Sequence, residues 1–225
     1  MNHKPIIISI EGNIGSGKST IMNHLKQNYN ITGYSIGFID EPVEIWNSIT
    51  DNTTGESIIE KYYKDQSKYA FSFQMMAYIS RLSNIKKALK SNCDILLTER
   101  SIYTDRNVFA KMLYDSGKIE DINYKIYLTW FDEFLDDIKD FKIIYIKTHP
   151  VTAYNRVIKR NRKGETIPLE YLSECNDYHD NWIDSIADKE KLVIDGDVDN
   201  CNHKYYTEIS EQITKFVMTF INASY

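Results

Sequence analysis

Residues Gly12-Asn13-Ile14-Gly15-Ser16-Gly17-Lys18-Ser19-Thr20 contain the pattern GxxxxGK[ST] directly after an apolar run, and that pattern suits one task, cradling phosphate. Glycine enters backbone conformations closed to other residues, so successive N–H groups can converge on phosphate oxygens. A helix beginning near Lys18 would aim its positive dipole end at the same point. In such a loop Lys18 reaches the β- and γ-phosphates, and the Ser19 hydroxyl serves Mg²⁺. The competing reading is a chance Gly-rich turn, and the strand-loop-helix setting argues against it. The motif predicts a bound ATP or GTP and is silent on what receives the phosphate.

Phosphoryl transfer to an alcohol needs a base at the hydroxyl and cations around the moving group. Glu41, in Asp40-Glu41-Pro42-Val43, is the base candidate, because the following Pro disfavours helix and holds it extended. A surface carboxylate is the alternative. Glu99 and Arg100 close another apolar run. An acid there holds Mg²⁺ directly or through water. Arg100 can bridge a carboxylate or a phosphate, and a structural ion pair with Glu41 or Glu99 is compatible with either role. Arg156, Lys159, Arg160, Arg162 and Lys163 form a basic stretch ending at Gly164. It reads as a lid over the phosphates, with Gly164 as its flexible end, or as a solvated face. Tyr62, Tyr63, Tyr69, Phe71 and Phe73 crowd around Gln74, either as core or as a platform for a base.

Something must hold these groups together. Five β-branched runs recur along the chain: Ile6 to Ile10, Ser35 to Ile39, Ile95 to Leu97, Ile143 to Ile146, and Leu192 to Ile194. Unbroken runs of this kind suit strands buried on both faces, the habit of a parallel sheet. Between them lie apolar residues at helical spacing, such as Phe71, Met75, Tyr78 and Leu82, then Val108 and Met112, then Ile209, Ile213, Phe216, Val217 and Phe220. The alternation predicts an α/β three-layer fold, a five-stranded parallel sheet flanked by helices. Ligands of such sheets sit beyond the carboxyl ends of the strands. Glu11-Gly12, Asp40-Glu41, Glu99-Arg100, Thr148-His149 and Asp195-Gly196 all fall there.

The bulk properties bound the reading. With 225 residues and no Pro/Gly-rich linker, a single domain over residues 1–225 is expected, carrying an Arg-rich lid near 156–166. A net charge of −5 argues against a protein that coats a nucleic acid polymer. The start of the chain shows no targeting peptide, no run approaches a membrane span, and the scattered Cys93, Cys175 and Cys201 read as free thiols rather than zinc ligands or a disulfide framework. A cytoplasmic protein without membrane contact is expected.

Taken together, several segments resemble the deoxynucleoside kinase family, which includes deoxycytidine, deoxyguanosine and insect multisubstrate kinases. They are Ile10 to Thr20, Glu41-Pro42-Val43 with Trp46, Phe71-Ser72-Phe73-Gln74, Glu99 to Arg106, Arg160-Asn161-Arg162, and Ile167 to Leu172. The order and spacing follow the family from residue 6 to the C-terminal helix. The resemblance implies ATP as donor, Mg²⁺ held by Ser19 and Glu99, and a deoxynucleoside acceptor. Glu41 would be the base on its 5′-hydroxyl, oriented by Arg100. Gln74 would pair with the nucleobase, Trp46 and Phe109 would lie against it, and Tyr63 and Glu165 would hold the sugar 3′-hydroxyl. Glu170 is the fallback for Glu165, because Lys163-Gly164 stands where the family usually carries acids. Arg160 and Arg162 would be the lid arginines with Arg156 on the ATP side, and Asp197 to Asn200 would contact adenine. Ala77, Arg81 and Asp105 occupy the positions that set base choice. An Arg-Asp pair there implies deoxycytidine and purine deoxynucleosides over thymidine, whose methyl it crowds. A homodimer is also implied, with the apolar faces at Met75 to Leu82 and Val108 to Leu113 as its source or as core.

Two other readings compete. A nucleoside monophosphate kinase of thymidylate kinase type shares loop and sheet, but a carboxylate base is unwelcome beside a phosphate acceptor. A non-catalytic nucleotide-binding subunit would have lost some of Lys18, Glu41, Glu99, Arg100 and Arg160, and all are present. A regulatory GTPase lacks support because no NKxD stretch occurs.

Overall fold

A computed structural model of the chain describes residues 4–135, 138, 140–162, 164–198 and 203–223. All five apolar runs are strands: β1 (Ile6–Glu11), β2 (Ile36–Ile39), β3 (Ile95–Glu99), β4 (Phe141–Lys147) and β5 (Lys191–Asp195). Every pairing is parallel, in the order β2-β3-β1-β4-β5. The expected α/β architecture is therefore present. The helices are α1 (Lys18–Asn28), α2 (Val43–Ser48), α3 (Ile58–Lys64), α4 (Gln66–Ala88), α5 (Ile102–Thr104), α6 (Lys111–Asp115), α7 (Asp121–Glu133), α8 (Pro150–Arg160), α9 (Leu169–Asp184) and α10 (His203–Ala223). A π-helical turn over Asp105–Ala110 joins α5 to α6.

The two-residue period of a strand sends alternate side chains of β1 to opposite faces. Ile8 and Ile10 pack with Ile21, Met22 and Leu25 of α1 and with Ile213 and Val217 of α10. Ile7 packs on the other side with Tyr78, Leu82 and Ile85 of α4 and with Tyr127 and Phe131 of α7. Both faces of the sheet are thus covered by apolar helix stripes, which is why the strands carry no polar alternation. β3 and β4 flank β1 on opposite sides, so the connections diverge at its carboxyl end. That divergence opens the crevice in which a ligand is expected.

The apolar faces at Met75 to Leu82 and Val108 to Leu113 are mainly internal. Tyr78, Leu82, Val108, Met112 and Leu113 are buried, while Ile79 is 51% exposed. The aromatics around Gln74 divide as well. Tyr62 is buried and stacks on Phe73 at 4.6 Å, whereas Phe71 turns to the sheet-facing cluster.

Candidate active site

The loop after β1 is shaped by close approach. Gly12 and Gly15 have positive φ, 145° and 83°. A Cβ on Gly12 would sit 2.6 Å from the Ile146 carbonyl, and one on Gly15 would sit 2.4 Å from that of Ala153. No side chain fits at either place. Lys18 opens α1 as expected, and its Nζ donates to the Asn13 carbonyl at 2.7 Å. Burial first, then Arg100, pushes the Lys18 pKa down to about 7 against the pull of Glu99, Glu41 and Glu11. A cation held at such cost is set to receive an anionic partner.

Glu41 follows β2, with Pro42 as the cap of α2. Its neighbour Asp40 pairs outward with Lys26, while Glu41 turns inward and accepts from Arg81 Nη2 at 3.1 Å and pairs with Arg100 Nε at 3.2 Å. Burial works to raise the Glu41 pKa, but Arg100, Arg81 and Lys18 together outweigh it and leave it below the ordinary value. Glu99 goes the other way: burial and the nearby Glu41 raise it, against Lys18, Ser19 and Arg100. Two carboxylates in one cleft with pKa values driven apart mark a division of labour. The Ser19 hydroxyl donates to Glu99 Oε1 at 2.6 Å, so these two oxygens converge as expected. One hydroxyl and one carboxylate suit Mg²⁺, which takes its other ligands from phosphates and water. Consistent with that sparse protein contribution, no cluster of three or more His, Cys, Asp or Glu ligands occurs among the described residues.

Beyond these groups lies a cleft of about 1220 Å³. Ile14, Gly15, Gly17, Lys18, Ser19, Thr20, Glu41, Trp46, Tyr63, Gln74, Ala77, Arg81, Glu99, Arg100, Asp105, Phe109, Arg156, Arg160, Arg162 and Glu165 all line it. Four expected residues do not. Gly12 and Ser16 sit behind the loop, and Ser16 offers its carbonyl to Thr148 and Arg156. The Asn13 amide donates to the Leu172 carbonyl at 2.7 Å, tying the loop to α9. Asp197 accepts from the His149 N–H at about 3.0 Å. Asp199 and Asn200 of the expected adenine loop, like Lys163 and Cys201, lie outside the described residues.

Arg81 and Asp105 form a buried pair at 3.0 Å. One guanidinium is shared between two carboxylates, since Arg81 also holds Glu41. Asp105 is therefore pushed up to about 6 by burial, incompletely offset by Arg81, whereas Arg81 itself is held charged by Asp105 and Glu41 against its own burial. Trp46 is anchored by an Nε1–H bond to Ser80 Oγ at 2.8 Å. Gln74 is buried, and its Oε1 has no hydrogen-bond partner among the described residues.

The lid is built as α8 and the return to α9. Arg160 grips Glu165 with two nitrogens, Nε at 2.9 Å. Glu170 is exposed on α9 and does not line the cleft, which favours Glu165 of the two. Gly164 departs from the expected flexible end. It has φ +77°, and a Cβ there would lie 2.4 Å from Glu60 Cγ on α3, so its smallness serves a close crossing.

Three features carried no assigned role in the sequence. Glu11 is fully buried and accepts from the Ser101 N–H at 2.8 Å and its hydroxyl at 2.7 Å, and also from the hydroxyls of Ser9 and Thr104. It thereby fixes the Glu99-Arg100-Ser101 corner to the phosphate loop. Arg100 has a left-handed backbone, φ 64°, pinned because its N–H donates to Ile10 and its carbonyl accepts from Thr98 Oγ1. Strain of this kind gathers at functional sites. His179, buried on α9, lies against Arg100. Only the strand-end position of Glu11 was a usable signal.

A family model described as deoxynucleoside kinase matches residues 8–218. The chain is 38% identical over 200 residues to a probable deoxycytidine kinase of fowlpox virus (strain NVSL), covering 85% of this chain and 79% of that one. It is 33% identical over 197 residues to the deoxycytidine kinase of Mus musculus, covering 78% and 74%. Against the mitochondrial thymidine kinase 2 of Homo sapiens it is 33% identical over 183 residues, covering 80% and 65%.

Proposed function

This chain belongs to the deoxynucleoside kinase family and is an ATP-dependent deoxynucleoside 5′-kinase, and from that premise we propose how its residues divide the work and which bases it prefers. The phosphate loop and Lys18 hold the ATP phosphates. Ser19 and Glu99 hold Mg²⁺, which when bound neutralises phosphate charge. Glu41, kept charged by Arg100 and Arg81, accepts the 5′-hydroxyl proton as the oxygen attacks the γ-phosphate. Arg160 and Arg162 approach the charge that develops on the transferring group. Arg156 lies on the ATP side, and the loop beginning at Asp197 meets the adenine.

The single observation that carries the acceptor assignment is the unpartnered Oε1 of buried Gln74. An orphaned buried amide oxygen costs about 1–3 kcal/mol, and a nucleobase edge offering a donor and an acceptor satisfies the whole group. Trp46 and Phe109 supply faces for the base, and Tyr63 and Glu165 reach the sugar 3′-hydroxyl. The Arg81–Asp105 pair supports deoxycytidine and purine deoxynucleosides over thymidine, because it offers charge to an exocyclic group where the thymine methyl would pack. The relatives include both deoxycytidine and thymidine kinases at the same identity, so base choice rests on this pair. Steady-state kinetics with the four deoxynucleosides test it: a thymidine kcat/KM above the other three rejects the preference. Loss of base selectivity is the expected result for Gln74→Ala.

The homodimer reading moves to another surface. Ile122, Ile126 and Trp130 repeat every four residues along α7, exposed at 61%, 40% and 48%, and Ile79 of α4 is exposed at 51%. This stripe suits a second copy. Light scattering of Ile126→Lys should show half the wild-type mass, and an unchanged mass rejects the surface. No helix among the described residues is long and apolar enough to cross a membrane. A cytoplasmic setting is supported by the free thiols Cys93 and Cys175.

A further inference from the structure

The guanidinium of Arg100 is held on several sides at once. Nε faces Glu41 at 3.2 Å, Nη1 donates to the Gly12 carbonyl at 2.8 Å, and the Phe109 ring lies 4.9 Å from its central carbon. The remaining contact is His179 Nε2, 3.3 Å from Nη1. His179 has no exposed surface, and its Nδ1 lies 2.7 Å from the Cys175 carbonyl. A carbonyl only accepts, so Nδ1 must carry the proton, and an arginine only donates, so Nε2 must be bare. Both neighbours therefore require the same neutral tautomer. The ring plane is fixed as well, with Tyr145 nearly parallel at 6.2 Å and Phe109 edge-on at 6.1 Å. Burial and the charge of Arg100 hold the imidazole pKa well below the ordinary value, which keeps the acceptor available.

We propose that His179 is a positioning residue for phosphoryl transfer: its Nε2 accepts from Arg100 Nη1, fixes the rotation of that guanidinium, and through it the placement of Glu41. Arg100 starts from a left-handed backbone, so its side chain enters the cleft from a conformation that other contacts must hold. A second anchor on Nη1 is what keeps Nε turned to Glu41. The inference rests on the reading of Glu41 as the base.

The test compares His179→Asn with His179→Gln. Asn can still donate to the Cys175 carbonyl but falls short of Arg100, while the Gln amide oxygen reaches the position of Nε2. Rates are measured with ATP, Mg²⁺ and deoxycytidine, or deoxyguanosine if that is turned over faster, and divided by the sites counted in an ATP binding titration. Loss of folded protein then does not enter the comparison. Asn should lower kcat by about ten-fold with the ATP KM within about two-fold of wild type, and Gln should stay within about three-fold in both. In an Arg100→Lys background the difference between Asn and Gln should vanish. Equal kcat for Asn and Gln, or a difference that survives in that background, overturns the role of His179. Full turnover by Glu41→Gln overturns the base assignment instead, so the two failures are distinguishable.

Discussion

The floor of the cleft and its lid are made of the same residue types, arginines paired with glutamates, yet they are different materials. On the floor Arg81 and Arg100 are 2% and 3% exposed, and both converge on Glu41. In the lid the Arg160 side chain is 29% exposed and grips Glu165 alone. Breaking a buried pair leaves an uncompensated charge and costs about 3–5 kcal/mol, whereas an exposed pair contributes about 0–1 kcal/mol. The floor is thus committed to one arrangement, and the lid can trade a carboxylate for phosphate oxygens at little cost. Positioning lives below, and exchange lives above.

Four measurements would break or sharpen that contrast. The largest effect belongs to Glu41→Gln, which should lower kcat by about 10²–10⁴-fold with a nearly unchanged ATP KM, read by steady-state assay. A loss under ten-fold would mean that the floor orients substrate without base chemistry. Next, Glu11→Gln should cost about 3 kcal/mol in urea unfolding, because a buried acceptor of several donors is replaced by a group that must itself donate. The midpoint should move without a change of slope.

A smaller effect follows from Asp105. Its pKa of about 6 means that it is charged above that pH and takes a proton as pH falls through it, weakening its hold on Arg81. The deoxynucleoside kcat/KM should therefore fall below pH 6, and Asp105→Asn should lose that limb in a pH–rate profile. The stability sign is opposite: with a folded pKa above the ordinary 3.8, this group alone makes the fold more stable as pH falls from 6 toward 3.8. The smallest effect is expected at the lid. Glu165→Gln should change unfolding free energy by less than about 0.5 kcal/mol while raising the deoxynucleoside KM a few-fold. A stability loss as large as that of Glu11→Gln would erase the distinction between floor and lid.

Much of this was legible in the sequence, and what was legible was local. The strands β1 to β5 could be read because strands buried on both faces must be unbroken β-branched runs. The phosphate loop could be read because its glycines and Lys18 act within one turn of chain. Resemblance supplied Arg81 and Asp105, and the geometry added that they touch. Glu11, by contrast, takes its donors from Ser101 and Thr104, about ninety residues away, and no spacing rule connects them. His179 is a lone histidine on a helix until Arg100 is placed against it. Met75 to Leu82 shows the reverse error: helical periodicity marks an apolar face without saying whether a core or a second chain covers it.

The π-helical turn at Asp105–Ala110 bears on how this pocket can change. A wider turn absorbs one residue more than an α-helix of the same length, and such bulges arise as single insertions. Removing one residue there would rotate everything downstream by about 100°, carrying Met112 and Leu113 out of the interior they now fill. The wall bearing Asp105 and Phe109 is therefore in phase with the packing beneath it. Substitutions can retune what the pocket reads one side chain at a time, but its length cannot be edited without unseating the helix that follows.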